Sequence, residues 1–180
     1  MNILDRIVYD YINRISTQTL TTVSYYIGYI TEILFVLIVI VLAIIIIFSK
    51  KKSLDDYYLE LSLAVSALFT FSLKTTFMRL RPPTAAPFES TFSFPSSHAS
   101  ISAAFFTALY MIFITRIKKH NHKVWFTIFC IASPVFIATS RLTLGVHYFT
   151  DVFAGLSLGF IVALTIGALF AHKLFFRKKK

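Results

Sequence analysis

Three short polar clusters contain most of the residues in this chain that can carry out acid–base or phosphate chemistry. The clusters are KTTFMRLRP at 74–82, PSSH at 95–98 and SRLTLGVHYFTD at 140–151. The sequence around them is apolar, and an ionisable side chain inside a membrane costs roughly 2–4 kcal/mol unless it is paired or has a function. We therefore expect the three clusters to meet in one site that handles phosphate.

The first two clusters can each bind an anion. Lys74 and Arg81 are seven residues apart, so a helix that runs up to the prolines at 82–83 would place both cations on one face. The PSSH cluster begins a predicted helix, where backbone N–H groups and the helix dipole favour an anion. Ordinary flanking charge at a helix end and a serine helix cap are the alternatives.

The third cluster contains a candidate nucleophile. His147 and Asp151 are four residues apart, which puts both on one face of the last predicted helix. Asp151 can then hold one ring nitrogen and leave the other as a nucleophile, while a purely structural His–Asp pair is the alternative. Lys74, Arg81 and Arg141 can neutralise the charge of a phosphoryl group during transfer. The residues therefore predict a reaction that needs no metal and no other cofactor.

Composition identifies the broad class of protein. The 180 residues are 57% hydrophobic with a mean hydropathy of +0.74, which predicts one integral membrane domain spanning residues 1–180. The net charge is +10, but the basic residues flank apolar runs. Because they form no polar face interleaved with aromatic residues, we expect no nucleic acid partner. The expected partners are the lipid bilayer and a phosphorylated lipid.

Hydropathy predicts an all-α bundle of about five membrane-spanning helices. A span needs about 20 apolar residues, and the runs that qualify lie at 25–48, 57–78, 99–117, 124–140 and 148–171. Residues 1–22 carry apolar side chains at helical spacing with charges between them. This pattern predicts an amphipathic helix on the membrane surface.

The distribution of positive charge predicts the orientation in the membrane. Lys and Arg collect in cytoplasmic loops, and most of the 18 basic residues lie at 50–52, 116–123 and 173–180. Placing those segments in the cytoplasm puts the three polar clusters on the opposite face. We expect a multi-pass protein of the bacterial inner membrane whose site faces the periplasm or the exterior.

In order and spacing, the three clusters resemble the motifs of the type 2 phosphatidic acid phosphatase (PAP2) family. That family's pattern is KxxxxxxRP, PSGH and SRxxxxxHxxxD, and the match runs over residues 74–151. The resemblance implies a helical bundle with the core shared by PAP2 enzymes and vanadium haloperoxidases. It also implies metal-independent hydrolysis of lipid phosphates.

The resemblance further implies a role for each matched residue. His147 would be the nucleophile that forms a phosphohistidine, Asp151 would orient it, and His98 would protonate the leaving oxygen. The phosphate would be bound by Lys74, Arg81, Ser96, the backbone N–H of Ser97, and Arg141. Supporting contacts would come from Pro82, Pro95 and Ser140. The family's usual glycine is Ser97 here, and we expect helical backbone angles that a serine tolerates.

The motifs leave the substrate and the fate of the phosphoryl group open. Undecaprenyl diphosphate, phosphatidylglycerophosphate, phosphatidate and a lipid A phosphate are the candidates that the resemblance suggests. The alternatives are a lipid-to-lipid phosphotransferase, a non-catalytic lipid-phosphate transporter or binding protein and, more remotely, a haloperoxidase. Gly155 and Gly159 form a small-xxx-small pair that fits either close helix packing or a homodimer.

Overall fold

The computed structural model is all-helical over the residues that it describes, which are 2–48, 54–85 and 91–177, with side chains described through residue 170. Its six helices are α1 (Ile3–Ile15), α2 (Gln18–Phe48), α3 (Leu54–Phe77), α4 (Ser97–Phe113), α5 (His120–Thr143) and α6 (Phe149–Arg177). The prediction of an all-α bundle is confirmed. The lysines at 50–52 and 178–180, which partly determine the predicted orientation, lie outside the described residues.

The amphipathic N-terminal helix is present but shorter than predicted. The sequence pattern indicated residues 1–22, whereas α1 ends at Ile15 and α2 begins at Gln18. The break has a local cause, because the Thr17 hydroxyl accepts a hydrogen bond of 3.3 Å from the backbone N–H of Leu20. A threonine in this role favours the start of a new helix.

Three of the five predicted spans are long and apolar enough to cross a membrane. They lie in α2, α5 and α6, at Gln18–Phe48, His120–Thr143 and Phe149–Phe170. α4 is apolar but shorter, and α3 carries charged residues in its first and last turns. The protein is therefore a helical membrane protein in which α2, α5 and α6 are the candidate spans and α3 and α4 complete the bundle.

α4 is the central helix of the bundle and packs against α2, α3, α5 and α6. Its contact with α6 is close because α6 presents glycines to it. A Cβ atom on Gly159 would lie 2.0 Å from the Ser100 carbonyl oxygen, and one on Gly155 would lie 2.6 Å from the Ser96 carbonyl oxygen. The small-residue pair thus serves helix packing within the chain.

Hydroxyl groups join α3 to α4 beneath the start of α4. The Ser66 and Ser100 hydroxyls are 2.7 Å apart, and the Thr70 hydroxyl donates to Ser100 over 2.9 Å. These side chains are buried, and buried hydroxyls that are fully paired specify one arrangement of their helices. The last part of α3 and the start of α4, which belong to the first two polar clusters, are therefore held together.

Candidate active site

α3 ends within the first cluster, before Arg81 is reached. α3 contains Lys74 but ends at Phe77, and Met78 has a positive φ of 45°. The prediction that one helical face carries Lys74 and Arg81 was therefore wrong. Two physical reasons are the reversal of the backbone at Met78 and the proline at 82, which disfavours helical angles at the residue before it. Arg81 instead lies in the loop between α3 and α4, outside regular secondary structure.

Arg81 connects this segment to the loop before α6. Its Nε donates to the Thr91 carbonyl oxygen over 2.8 Å, and its Nη1 donates to the Val146 carbonyl oxygen over 2.9 Å. The same Nη1 lies 3.3 Å from Nε2 of His147. The cation and the predicted nucleophile are thus in direct contact.

His147 is buried in the loop between α5 and α6. The loop turns at Gly145, whose φ of +72° suits glycine. The Thr84 hydroxyl donates to the Gly145 carbonyl oxygen over 2.9 Å, and a Cβ on Gly145 would lie 2.6 Å from that hydroxyl. This turn therefore fixes the position of His147 relative to the segment that carries Arg81.

The contacts of the His147 ring identify its tautomer. A guanidinium group has no acceptor, so the Nε2 atom that faces Arg81 presents its lone pair. Nδ1 then carries the proton and faces Oδ2 of Asp151, at 3.6 Å. This separation is longer than a hydrogen bond, and distances of this kind often shorten only when substrate binds. The tautomer is the one that leaves Nε2 able to act as a nucleophile.

The charge state of His147 follows from its burial. Removal from water lowers the pKa of His147 to about 3, with Asp151 opposing this effect and Arg81 and Lys74 adding to it. The imidazole is therefore neutral at physiological pH. A neutral ring next to two cations can attack an electrophile, whereas a protonated ring cannot.

Asp151 is held by contacts from two sides. Its Oδ2 accepts a hydrogen bond of 2.9 Å from the backbone N–H of Tyr148, in the manner of a capping box at the start of α6. Its Oδ1 accepts from Nη1 of Arg79 over 2.6 Å. Sequence reasoning gave Arg79 no role, although it lies in the first cluster two residues before Arg81. Lys74, Arg79 and Arg81 lie within eight residues, and this density of cations was the available signal.

The PSSH cluster joins the start of α4 to α6. The Ser96 backbone N–H donates to the Asp151 carbonyl oxygen over 3.0 Å, following a cis peptide bond between Phe94 and Pro95. The Ser96 hydroxyl is buried and has no hydrogen-bond partner within the described part of the chain. Ser97 is the first residue of α4 and has no positive φ. The expected helical conformation of Ser97 is confirmed.

His98 and Arg141 meet at one glycine of α2. Nε2 of His98 lies 3.1 Å from the Gly28 carbonyl oxygen, and because a carbonyl only accepts, Nε2 carries a proton. A Cβ atom on Gly28 would lie 1.9 Å from Nη1 of Arg141, so the guanidinium rests on the backbone of α2. Gly28 was missed because a single glycine in an apolar run has many structural explanations.

The remaining predicted residues surround this centre. Lys74 is buried, and its Nζ donates to the Phe92 carbonyl oxygen. Pro82 and Pro95 are buried. The Ser140 hydroxyl donates to the Ile137 carbonyl oxygen of its own helix over 2.7 Å. All three clusters therefore lie at one end of the bundle, with cations on one side of a neutral histidine and a carboxylate on the other.

Such a site is suited to an anion with several oxygens. Lys74, Arg81 and Arg141 are buried or half-buried, and buried cations bind an anion more strongly than exposed ones do. The unpartnered Ser96 hydroxyl and the first backbone N–H groups of α4 add neutral donors. The arrangement can hold a tetrahedral anion against a neutral imidazole.

The family to which this arrangement belongs is identified by comparison. The PAP2 superfamily matches residues 57–176. Phosphatidylglycerophosphatase B of Bacillus subtilis is 33% identical over 119 residues, covering 64% of this chain and 58% of that protein. Lipid A 1-phosphatase of Rhizobium johnstonii is 33% identical over 126 residues, covering 64% of this chain and 48% of that protein. The chain thus matches about half the length of each of these relatives.

Two crystal structures resemble the whole bundle. A transmembrane PAP2-type phosphatidylglycerolphosphate phosphatase from Bacillus subtilis superposes with a TM-score of 0.76 and 28% identity, covering 98% of this chain and 86% of that one. LpxE of Aquifex aeolicus shares the fold, with a TM-score of 0.63 and 24% identity over 92% of this chain and 98% of that one. The sequence motifs, their convergence and these likenesses agree, and the chain belongs to the PAP2 superfamily.

Proposed function

We propose that this protein is a membrane phosphatase that hydrolyses a lipid phosphomonoester or diphosphate through a phosphohistidine at His147. The observation that carries the proposal is the state of that ring: buried and neutral, with the Nε2 lone pair facing Arg81 and Nδ1 facing Asp151. An oriented neutral imidazole gains nothing for anion binding alone, but it is what nucleophilic attack requires. A transporter or binding protein would have no use for it.

The reaction has two steps. In the first, Nε2 attacks phosphorus, an N–P bond forms, the bond from phosphorus to the lipid oxygen breaks, and His98 donates a proton to that oxygen. In the second, a water oxygen attacks phosphorus, the N–P bond breaks, and His98 takes a proton from the water. Charge on the phosphoryl oxygens is stabilised by Lys74, Arg81, Arg141, the Ser96 hydroxyl and the backbone N–H of Ser97.

The contact of His98 with α2 selects the nitrogen that moves the proton. Since the Gly28 carbonyl oxygen accepts from Nε2, that nitrogen keeps its hydrogen throughout. Nδ1 is then the atom that gives a proton to the leaving oxygen and takes one from water, so His98 must carry a proton on both nitrogens when the first step begins. Burial and the nearby Arg141 lower the pKa of His98 to about 4 in the free protein, and the negative charge of the bound phosphate must raise it. The Gly28 carbonyl oxygen thereby orients the His98 ring and fixes its tautomer, as Asp151 does for the His147 ring.

The substrate is a phosphorylated membrane lipid. Relatives named for phosphatidylglycerophosphate and lipid A favour these two lipids. Phosphatidate also carries a phosphomonoester, and undecaprenyl diphosphate carries a terminal phosphoryl group whose leaving oxygen belongs to a second phosphate. Positive charge in the segments at 50–52, 116–123 and 173–180 favours a periplasmic or external site in a bacterial inner membrane. The lipid then enters from the outer leaflet of that membrane.

The test is phosphate release from these four lipids by the purified protein in detergent with EDTA. We expect release that survives EDTA, is inhibited by vanadate, and falls at least ~10³-fold in His147→Ala. His120→Ala is the matched control, since His120 is exposed at the start of α5, and it should retain full activity. Loss of release in EDTA would contradict metal-free catalysis, and activity in His147→Ala would exclude the phosphohistidine. Product that forms only when a second lipid is added would instead identify a phosphotransferase.

A further inference from the structure

The N-terminal helix buries a carboxylate while it exposes its apolar side chains. Ile3, Ile7 and Tyr11 of α1 are 81%, 60% and 61% exposed, whereas Asp5 is 0% exposed and is the only buried residue of α1. Burying a carboxylate is unfavourable unless charged or hydrogen-bonding partners compensate. The partners of Asp5 must therefore explain why α1 is docked by its polar side.

Asp5 binds the start of α6. Its Oδ1 accepts a hydrogen bond of 2.9 Å from the backbone N–H of Thr150, and its Oδ2 accepts one of 2.8 Å from the Thr150 hydroxyl. N–H groups in the first turn of a helix lack partners in their own helix, and the helix dipole favours an anion there. Asp5 thus caps a helix that lies about 145 residues further along the chain.

Arg79 extends this contact to the proposed reaction centre. Its Nη2 donates to Oδ2 of Asp5 over 2.6 Å, and its Nη1 donates to Oδ1 of Asp151 over 2.6 Å. The guanidinium also lies 4.3 Å from the centroid of the Tyr148 ring, which fixes its plane. One arginine therefore divides its two terminal nitrogens between two buried carboxylates.

This division decides which oxygen of Asp151 remains for the histidine. A guanidinium with one carboxylate partner tends to bind both of its oxygens. Here Asp5 occupies Nη2, so Asp151 receives Arg79 on Oδ1 alone, and Oδ2 accepts from the Tyr148 N–H and faces Nδ1 of His147. Without Asp5, Nη2 of Arg79 can compete with the Tyr148 N–H for Oδ2 and draw the carboxylate away from the ring.

We propose that Asp5 is a positioning residue for the reaction, acting through Arg79 to keep Oδ2 of Asp151 directed at His147. The proposal rests on the proposed function, because it assumes that Asp151 orients a nucleophilic His147. It gives α1 a role in turnover in addition to its predicted place on the membrane surface. Asp5 touches no reacting atom, so its loss should slow the chemical step without weakening lipid binding.

The experiment compares Asp5→Asn with Asp10→Asn, the same change at an exposed acid of the same helix that lies 3.9 Å from Arg6. Asparagine keeps the size of the side chain and an oxygen for Thr150 but removes the charge. We expect kcat to fall about 10–100-fold in Asp5→Asn, with KM changed less than about twofold. Asp10→Asn should match the wild-type protein in both constants.

A second pair of variants separates positioning from a purely structural role. If Asp5 acts through Asp151, Asp5→Asn should lower kcat little further when Asp151→Asn is already present. If Asp5 merely stabilises the fold, Asp5→Asn should lower kcat by the same factor in the wild-type protein and in the Asp151→Asn variant. This result would overturn the inference. Should Asp5→Asn fail to fold, Arg79→Lys tests the same step, because a lysine lacks the fork that joins two carboxylates.

The outcomes also separate this inference from the proposed function. Wild-type protein that releases phosphate, together with an Asp5→Asn variant of unchanged kcat, overturns the role of Asp5 alone. Wild-type protein that releases no phosphate from any lipid overturns the proposed function and the role of Asp5 with it. A rise in KM with unchanged kcat would place Asp5 in lipid binding and would also overturn the inference.

Discussion

The two sides of the site are held in place by different kinds of contact. On one side, which we call the helix side, the starts of α4 and α6 lie so close that Gly155 and Gly159 leave no room for a methyl group. On the other, which we call the arginine side, Arg79, Arg81 and Arg141 are held by hydrogen bonds and by packing of the guanidinium on α2. One side is fixed by steric contact of backbones and the other by long side chains.

The difference predicts how each side responds to substitution. Close-packed backbones cannot move apart without losing many contacts at once, so a change on the helix side should disturb both folding and activity. Long side chains can swing away at little cost in packing, so a change on the arginine side that leaves the buried carboxylates paired should disturb activity more than stability. Stability and turnover measured together therefore test the comparison.

The largest effect is expected from Gly159→Ala on the helix side. The new methyl group would lie 2.0 Å from the Ser100 carbonyl oxygen and 2.8 Å from the Ala104 nitrogen, so α4 and α6 must separate. We expect a loss of roughly 1–3 kcal/mol or more in the free energy of unfolding, together with loss of activity. Thermal unfolding in detergent and phosphate release measure the two effects.

Gly167→Ala is the matched control for that prediction. A Cβ atom on Gly167 would lie 3.0 Å from the hydroxyl of the buried Tyr58, which donates to the Ala163 carbonyl oxygen. Since the nearest atoms all belong to one side chain and not to a backbone, the loss of stability should be smaller than in Gly159→Ala. If Gly159→Ala and Gly167→Ala lost equal free energy of unfolding, close contact between backbones would not be what makes the helix side sensitive to substitution.

An intermediate effect is expected from Gly28→Ala, which changes the arginine side from α2. The methyl group would displace Nη1 of Arg141, which lies 1.9 Å from its position. Losing one well-placed donor to a transition state costs about 10²–10³-fold, and a displaced donor should cost roughly 10–100-fold in kcat/KM. The melting temperature should change by only a few degrees, because alanine favours the helix by about 1 kcal/mol over glycine.

A threonine of the same helix provides the control for Gly28→Ala. The exposed Thr22 hydroxyl donates to the Gln18 carbonyl oxygen within α2, so Thr22→Ala should alter neither activity nor unfolding appreciably. Gly28→Ala that unfolds before it loses activity would place Gly28 on the helix side of the comparison.

The smallest effect is expected from Ser97→Gly, which restores the glycine that the PAP2 pattern has at this position. Ser97 has helical backbone angles, so glycine relieves no strain, and the backbone N–H is kept. We expect kcat/KM within about twofold of the wild-type value and a slightly lower melting temperature. A clear rise in KM would instead assign the Ser97 hydroxyl to phosphate binding.

The sequence predicted the members of the site better than the contacts that hold them. His147 and Asp151 are four residues apart on a helix, so local geometry brings them together. Asp5 and Thr150 meet across the whole chain, and no local pattern records such a pairing. The path of the chain after α3 was mispredicted because the positive φ of Met78 is unusual for a residue of that type.

The glycines of α6 also limit where laboratory evolution could alter the proposed choice of lipid. Because Gly155 and Gly159 accept no added atom, random libraries at these two positions would be filled mostly with misfolded protein. Leu156 and Phe160 lie next to them in sequence but line an apolar cavity of about 550 Å³ between α4, α5 and α6. Variation confined to that wall can change the size and shape of the cavity while the distance between Ser96 and Asp151 stays fixed.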